Sequence, residues 1–317
     1  MYYEVLACRH PSMHLNPKRQ DVQNKTILIT GGTGGIGKQT ALALAKLGAL
    51  VIVTGRSQTS GEAAVTELKR HSGSQQIDML LADLSTQAGV RSLANQFKQK
   101  YGHLDVLINN AGLAESQRRL TEDGVEADFA VNVITPFLLT NLLMDRLKSS
   151  PSARVINLTG GDHPAKIDLD NLQAELSFMG LNTYSHAKLI MMAVMYEFAQ
   201  RVQGTNVTIN VCYPGNASTN MTQSVTPQMA PLILRLLWPL FKLATRPDGG
   251  QSAAKAARSS VYLASSVDVE GINGQYFNRQ SKVVDWPKTV LDLATRQHLW
   301  AIAEQLTHMA NGVPPER

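Results

Sequence analysis

Short apolar runs rich in β-branched residues alternate with segments of helical spacing through the first half of the chain. The runs are typical of strands buried on both faces, and they cover residues 25–30, 50–54, 77–82 and 104–108. The segments that follow them are rich in helix-forming residues, over residues 38–47, 60–72 and 86–101. Strands alternating with helices of this length predict βαβ units in a parallel sheet, with ligands bound beyond the carboxyl ends of the strands.

The second half continues the pattern and shows no second core. It contains a fifth strand at residues 154–158, a helix at about 182–203, a helix at 249–264, a last strand at 274–277 and a closing helix at 287–309. We therefore expect one α/β domain over residues 25–310, with a doubly wound parallel sheet and helices on both faces. Residues 1–24 have no apolar stretch of signal-peptide length, and we expect an extension that lies over the domain.

A glycine-rich turn, Thr30 to Gly37, separates the first strand from the first helix. Glycine accepts positive φ and lets the backbone approach a pyrophosphate, while the free N–H groups at the helix start face the anion. Two registers fit, a G-x-G-x-x-G of Gly32, Gly34 and Gly37 or a T-G-x-x-x-G-x-G of Thr30, Gly31, Gly35 and Gly37. A flexible loop is the alternative, and the flanking strand and helix argue against it.

The end of the second strand bears on the choice of cofactor. In a dinucleotide fold this position faces the adenosine ribose, where an acidic residue accepts from the 2′-hydroxyl of NAD and an arginine pairs with the 2′-phosphate of NADP. The acid is missing here, and Gly55 is followed by Arg56 and Ser57, which can hold a phosphate by charge-assisted hydrogen bonds. The sequence therefore predicts NADP(H), with a solvated surface arginine as the alternative.

Tyr184 and Lys188 are four residues apart, so they share one face of the helix predicted at 182–203. Lowering a tyrosine pKa from about 10 to about 7 requires roughly 4 kcal/mol in favour of phenolate. One ammonium at about 4–5 Å supplies on the order of 3–4 kcal/mol at an effective dielectric of 20. We expect Tyr184 to act as a general acid or base, whereas the pair in isolation would indicate only a surface helix contact.

Eight motifs appear in an order and spacing that resemble the short-chain dehydrogenase/reductase superfamily. They are TGGTGGIG, VTGRS, ADLS, NNAG, VNVITPFLLT, RVINL, TYSHAK and CYPG. The resemblance runs from about Lys25 to His308 and is to the retinol-dehydrogenase-like and WW-domain-oxidoreductase-like branch. It implies a single-domain Rossmann fold with about seven strands and reversible NAD(P)-linked oxidation of alcohols.

The resemblance also implies roles for particular residues. Asn132 is similar to the helix asparagine of a water-linked proton relay behind the lysine. The cofactor would be held by Gly31, Thr33, Gly35, Ile36, Gly37, Arg56, Ser57, Asp83, Leu84, Asn110, Tyr184, Lys188, Pro214, Gly215 and Thr219. The catalytic set would be Tyr184, Lys188 and Asn132, with Thr159 in place of a missing serine.

One position departs from the family pattern. After the fifth strand the family has two serines, the second of which holds the substrate oxygen, and this chain has Thr159 and Gly160. Losing a preorganised donor of this kind costs about 10²–10³ in rate. Thr159, Asp162 or His163 could supply the donor, the reaction could differ, as in reduction of a conjugated double bond, or the protein could bind cofactor without efficient turnover. His186, inside the TYSHAK motif, is expected to pack or to be exposed.

Composition excludes some classes of function. The 317 residues have a net charge of +5, and no Lys/Arg cluster is interleaved with aromatic residues, so nucleic acid is not an expected partner. Only Cys8 and Cys212 are present, which excludes a disulfide framework and suits a reducing cytoplasm. No ligand spacing typical of a metal site is present.

Residues 229–245 are strongly apolar, but two prolines and two cations interrupt them, and they are shorter than a membrane span. The resemblance places them in a substrate lid at about 216–248. Such a lid indicates a small hydrophobic substrate, contact with a membrane surface, or contact with a second subunit in a homodimer or tetramer. A buried pair of amphipathic helices is the plain alternative.

Overall fold

A central sheet of eight strands organises the computed structural model, which describes residues 21–160, 163–215, 217, 229 and 251–309. The strands are β1 (Thr26–Ile29), β2 (Leu50–Gly55), β3 (Ile77–Leu81), β4 (Val106–Asn109), β5 (Ala153–Leu158), β6 (Val207–Cys212), β7 (Tyr276–Phe277) and β8 (Val283–Val284). Their order is β3-β2-β1-β4-β5-β6-β7-β8, and every pair except β7 with β8 is parallel. The predicted α/β fold with a doubly wound parallel sheet is confirmed.

Helices connect the strands on both faces of the sheet. They are α1 (Gly35–Lys46), α2 (Gln58–Ser72), α3 (Gln87–Lys100), α4 (Ala127–Phe129), α5 (Thr135–Leu142), α6 (Met144–Lys148), α7 (Leu181–Arg201), α8 (Gln251–Ser265), α9 (Lys288–Leu291) and α10 (Leu293–Thr307). A π-helical segment, Ala130–Ile134, joins α4 to α5, and 3₁₀ turns form at Leu169–Asn171 and Val267–Val269. The helices predicted between the first four strands agree with α1, α2 and α3 to within a few residues.

Two details of the carboxyl-terminal part differ from the prediction. Seven strands are parallel, and an eighth, β8, returns antiparallel to β7 after a tight turn in which Asn278 N–H donates to the Lys282 carbonyl at 2.9 Å. The predicted closing helix at 287–309 is two helices. Asp292 leaves the helical region (φ −66°, ψ 117°) and its carboxylate accepts from Thr295 N–H at 2.8 Å, so that it caps a new helix.

Alternate residues of β1 face opposite sides of the sheet, and both sides are covered. Leu28 belongs to a core under α3, α5, α7 and α10, whereas Ile27 and Ile29 belong to a second core under α1 and α8. All three side chains are fully buried. This double burial explains why the strands read as continuous apolar runs.

Two residues before the predicted boundary at Lys25 contact the domain. Val22 is buried in the core under α1, and Asp21 N–H donates to the Ser265 carbonyl at 2.8 Å. The rest of the predicted extension, residues 1–20, lies outside the described residues, as do most of the predicted lid at 216–248 and its apolar segment at 229–245. Among the described helices, none combines the length and apolar character that crossing a membrane requires.

The strand order reverses between β1 and β4, which lie side by side at the centre of the sheet. Chains leaving the carboxyl ends of these two strands go to opposite faces, and a crevice opens between them. The glycine-rich turn after β1 and the NNAG turn after β4 border this crevice. The fold therefore brings the predicted motifs to one edge of the sheet.

Candidate active site

A cavity of about 550 Å³ lies at the carboxyl edge of the sheet. Most of the predicted site residues line it: Gly31, Thr33, Gly35, Ile36, Arg56, Asp83, Leu84, Asn110, Thr159, Tyr184, Lys188 and Pro214. Gly37, Ser57, Asn132, Gly160 and Gly215 are not among the lining residues, and Thr219 lies outside the described residues. Arg119 and Val131 also line the cavity, and sequence reasoning missed both.

The glycine turn adopts the conformation that the T-G-x-x-x-G-x-G register requires. Gly31 and Gly35 have φ of 63° and 51°, in the region that side chains disfavour. Gly37 is needed for a different reason, because a Cβ there would overlap the Asn110 side chain and the Gly31 carbonyl. The glycines therefore allow α1 to start close against the turn after β4.

Thr30 and Asn110 join these two turns. The Thr30 hydroxyl accepts from the backbone N–H groups of Asn110 and Ala111, each at 3.0 Å. The Asn110 amide donates to the carbonyls of Thr30 at 2.8 Å and Gly31 at 3.2 Å. Asn110 thus acts on the cavity by fixing the shape of the glycine turn.

The end of β2 presents Arg56 to the cavity but not Ser57. Ser57 is the N-cap of α2, and its hydroxyl accepts from Ser60 N–H at 3.4 Å. Ser57 thus accepts at the helix start, and its O–H remains able to donate, so a role of both side chains in holding the cofactor stays a prediction.

Asp83 lies in the cavity wall after β3. Burial raises the pKa of its carboxyl, but hydrogen bonds from Ser85 and the charges of Arg56 and Arg119 outweigh that effect, so that the pKa is lower than usual. Ser85 donates to Asp83 Oδ1 from its N–H at 2.9 Å and from its hydroxyl at 2.8 Å. Asp83 is therefore held as an anion, and the charges of Arg56 and Arg119 both stabilise it.

Tyr184 and Lys188 both face the cavity from α7. Lys188 is buried, its Nζ donates to the Leu158 carbonyl at 3.0 Å, and burial lowers its pKa to about 8. The same Nζ lies 5.9 Å from the centroid of the Tyr184 ring. Their position on one helix face agrees with the spacing in the sequence.

The pKa of Tyr184 shifts in the direction opposite to the one expected. Burial is the main cause and raises it, and the neighbouring Asp128 and Tyr213 add to the rise. The expected lowering assumed an ammonium close to the hydroxyl. In the structure the Lys188 ammonium donates to the Leu158 carbonyl instead, so desolvation of the phenol dominates.

Asn132 lies in the π-helical segment, beside the turn after β4. Its amide donates to the carbonyls of Leu113 at 2.7 Å and Asp128 at 2.8 Å, and its Oδ1 accepts from Leu113 N–H at 3.3 Å. A Cβ at Gly112 would lie 3.2 Å from Asn132 Oδ1 and 3.5 Å from Lys188 Nζ. Asn132 therefore holds the loop that passes between itself and Lys188.

The sequence profile of the short chain dehydrogenase family matches residues 25–230. Retinol dehydrogenase 14 of Homo sapiens is 36% identical over 299 residues, which cover 89% of this chain and 86% of that protein. The chain belongs to this family. Polyprenol dehydrogenase of Homo sapiens is 33% identical over 300 residues, which cover 92% of this chain and 86% of that protein. These relatives place the chain in the retinol-dehydrogenase-like branch of the short-chain dehydrogenases.

Solved structures agree with this short-chain dehydrogenase fold. The crystal structure of an uncharacterized protein from Mycobacterium Paratuberculosis matches with a TM-score of 0.70 at 26% identity, and the match covers 92% of this chain and 96% of that one. The Pseudomonas aeruginosa RhlG/NADP active-site complex matches with a TM-score of 0.61 at 24% identity, over 81% of this chain and 95% of that one.

The residues that replace the two serines of the short-chain dehydrogenase pattern lie beside Tyr184. Thr159 is buried, and its Oγ1 lies 3.4 Å from His163 Nε2. A Cβ at Gly160 would lie 3.4 Å from Tyr184 Cε1 and 3.8 Å from its hydroxyl oxygen, which are ordinary contacts. This member of the family therefore has room for a Cβ at the position of the second serine, although the residue is glycine.

The histidines His186 and His163 make different contacts near the site. His186 Nε2 accepts from Asp168 N–H at 2.9 Å, and burial lowers the pKa of the ring. This contact fixes the loop before α7, and of the expected packing or exposure it favours packing. His163 lies next to Thr159, which lines the cavity, and Asp162 lies outside the described residues.

Asp128 is a buried acid that sequence reasoning missed. Its Oδ1 accepts from Glu115 N–H at 2.9 Å, while its Oδ2 has no hydrogen-bond partner within the described part of the chain. Burial, together with the neighbouring Glu126 carboxylate, raises its pKa to about 8. The sequence signals it only as the second of two acids, Glu126 and Asp128, at the start of an apolar run. Its burial depends on the packing of α4 against α7.

The raised pKa of Asp128 predicts a pH dependence of stability. Between about pH 4 and pH 8 the folded protein binds a proton that the unfolded chain has released, so the free energy of unfolding falls as pH rises, by up to about 1.4 kcal/mol per pH unit. Asp128→Asn keeps the acceptor for Glu115 N–H and removes this ionisation. Between pH 5 and pH 8 the free energy of unfolding should fall in both proteins, and the fall should be smaller in the variant by roughly 1–3 kcal/mol. Denaturant unfolding at the two pH values measures it.

The matched control is Asp285→Asn, since Asp285 is exposed. It should leave the difference between the two pH values unchanged. An equal loss of stability in the wild type and in Asp128→Asn would contradict the assignment.

Proposed function

We propose that the protein is an NADP(H)-dependent oxidoreductase that transfers hydride between nicotinamide and a hydrophobic alcohol or carbonyl compound. One observation carries the proposal: a single cavity is lined by the glycine turn and Arg56 and also by Tyr184 and Lys188. Membership of the short-chain dehydrogenases supports the class of reaction.

The residues present fit a dinucleotide. The positive φ of Gly31 and Gly35 shapes the turn, and the absent side chain at Gly37 lets α1 lie close against the turn after β4. A pyrophosphate could then meet the backbone N–H groups at the start of α1. Arg56 would pair with a 2′-phosphate, and Gly55 removes a side chain from that point of the wall. When bound, the nicotinamide would supply or accept the hydride.

Tyr184 would handle the proton. The Tyr184 phenol is protonated, so it can donate to a carbonyl oxygen in reduction, and its phenolate would accept a proton in oxidation. Lys188 would orient the cofactor ribose, and Asn132 would support a proton relay behind it. Both assignments agree with the buried, hydrogen-bonded positions of these side chains.

Two observations support a hydrophobic substrate. Leu113, Ala114 and Val131 contribute apolar side chains to the cavity that Tyr184 and Lys188 also line. The relatives named retinol dehydrogenase and polyprenol dehydrogenase have long apolar alcohols in their names. In the proposal this chain takes a substrate of the same kind.

Gly160 supports a second candidate. The space beside the Tyr184 hydroxyl could hold part of an unusual substrate, as in reduction of a conjugated double bond, or the lost donor could leave a cofactor-binding protein with impaired catalysis.

The first prediction concerns Tyr184. Tyr184→Phe removes the proton donor and should reduce turnover at least about 10²-fold, because general acid catalysis contributes that much or more. NADPH affinity should change little, since the phenol hydroxyl contributes little to holding the dinucleotide. Steady-state rates with NADPH and apolar aldehydes, together with equilibrium binding of NADPH, measure both. Lys188→Ala should lose both properties, and more than a tenth of the wild-type rate in Tyr184→Phe would refute the role.

The second prediction concerns the cofactor. NADPH should bind more tightly than NADH, and Arg56→Ala should remove the difference by weakening NADPH alone. An arginine–phosphate pair contributes about 10–100-fold in affinity. Titration of the intrinsic tryptophan fluorescence with each cofactor measures it. Equal affinities in the wild-type protein would disprove the preference.

The third prediction separates the two candidates at Gly160. If Thr159 replaces the missing serine, Thr159→Val should lower the rate on the order of 10²-fold with little change in melting temperature, and Gly160→Ser should be neutral or helpful. The measurement is the rate on a panel of apolar aldehydes, ketones, alcohols and enones.

The opposite pattern would favour an unusual substrate, because the added hydroxymethyl group of Gly160→Ser would then occupy the pocket and be harmful. Turnover in none of the proteins, despite NADPH binding, would favour impaired catalysis.

A further inference from the structure

The loop between β4 and α4 brings a second arginine to the cavity. Arg119 lines the same cavity as Arg56, although the two residues come from different parts of the chain. Its guanidinium pairs with Glu115, with Nε at 3.1 Å and Nη2 at 2.8 Å from one carboxylate oxygen. The side chain is about half exposed, at 52%. It is thus a cation in the cavity wall with a weakly held partner.

The backbone of this loop is anchored next to Arg119 on both sides. The Arg119 carbonyl accepts from Ala127 N–H at 2.9 Å, and Leu120 forms a β-bridge with Glu126. Upstream, Glu115 N–H donates to the buried carboxylate of Asp128 at 2.9 Å. The position of Arg119 over the cavity is therefore set by the fold rather than by a free surface loop.

Arg56 and Arg119 both influence the Asp83 carboxylate. The charge of each arginine lowers the pKa of that carboxyl. Asp83 lies in the cavity wall with them. A phosphate bound by Arg56 would have the Asp83 carboxylate as a neighbour, so the positive charge of Arg56 would face two negative groups. A second arginine supplies a further positive charge.

We propose that Arg119 is a second ligand for the 2′-phosphate of NADP(H), which it binds in exchange for the Glu115 carboxylate. The inference rests on the proposed function, since it assumes that the cavity holds the phosphorylated dinucleotide. The exchange is favourable because an exposed ion pair is weak in water, whereas arginine binds phosphate through paired, charge-assisted hydrogen bonds.

The chain offers a matched control. Arg118 is the neighbouring residue and has the same charge, but its Nε donates to the Gln173 carbonyl at 3.0 Å and it does not line the cavity. Arg118→Gln and Arg119→Gln therefore change the net charge equally, but only Arg119→Gln changes a residue that lines the cavity. Any long-range effect of charge on an anionic ligand appears in both.

The experiment is equilibrium binding of NADPH and of NADH, by fluorescence titration, to the wild type, Arg118→Gln, Arg119→Gln and Arg56→Ala. We expect Arg119→Gln to weaken NADPH about 5–20-fold and to leave NADH within about twofold. Arg118→Gln should leave both within about twofold. Glu115→Gln, which frees Arg119, should bind NADPH at least as tightly as the wild type, and melting temperatures check that each variant is folded.

The other outcomes overturn the inference in distinguishable ways. An equal loss of NADPH and NADH in Arg119→Gln would indicate a contact with a part common to both cofactors, such as adenine. Unchanged NADPH binding in Arg119→Gln, with an NADPH-specific loss in Arg56→Ala, would reject Arg119 and leave the proposed function standing. Equal wild-type affinities for the two cofactors would reject the cofactor choice and the inference together.

Discussion

The close contact between the start of α1 and the turn after β4 is the constraint on which the cavity depends. Gly37 has no space for a side chain because Asn110 and the Gly31 carbonyl fill it. Asn110 in turn spans from one turn to the other, and Thr30 accepts from two N–H groups of the second turn. The protein itself therefore holds in place the backbone groups that would meet a phosphate. Because the turn is already ordered, binding would cost little of its conformational entropy.

The sequence predicted the parallel core of the sheet well, because strands buried on both faces appear as unbroken apolar runs. It did less well at the carboxyl-terminal edge. The two residues of β8 are too few to show any periodicity, and the break between α9 and α10 depends on one capping side chain, Asp292. Such features are decided by local hydrogen bonds and by the register of neighbouring strands, which a pattern of apolar positions does not contain.

At the candidate site, the motifs predicted most of the residues that line the cavity but not the shifts of their pKa values. The pKa of Tyr184 depends on desolvation and on where the Lys188 ammonium points, and neither follows from a spacing of four. The sequence did not indicate the positions of Arg119 and Asp128, for a related reason. Their positions follow from a loop folded back on α4, and only tertiary contacts determine that arrangement.

The π-helical segment at Ala130–Ile134 links chain length to the shape of the site. A π-helical turn contains one residue more than an α-helical turn, and such insertions are frequent at functional positions. Deletion of a single residue there would restore regular α-helical geometry and rotate Asn132 by about 100° relative to α5. The Asn132 amide would then leave the Leu113 carbonyl, and the loop between β4 and α4 would lose this contact. In this part of the molecule the number of residues, and not only their identity, is under structural constraint.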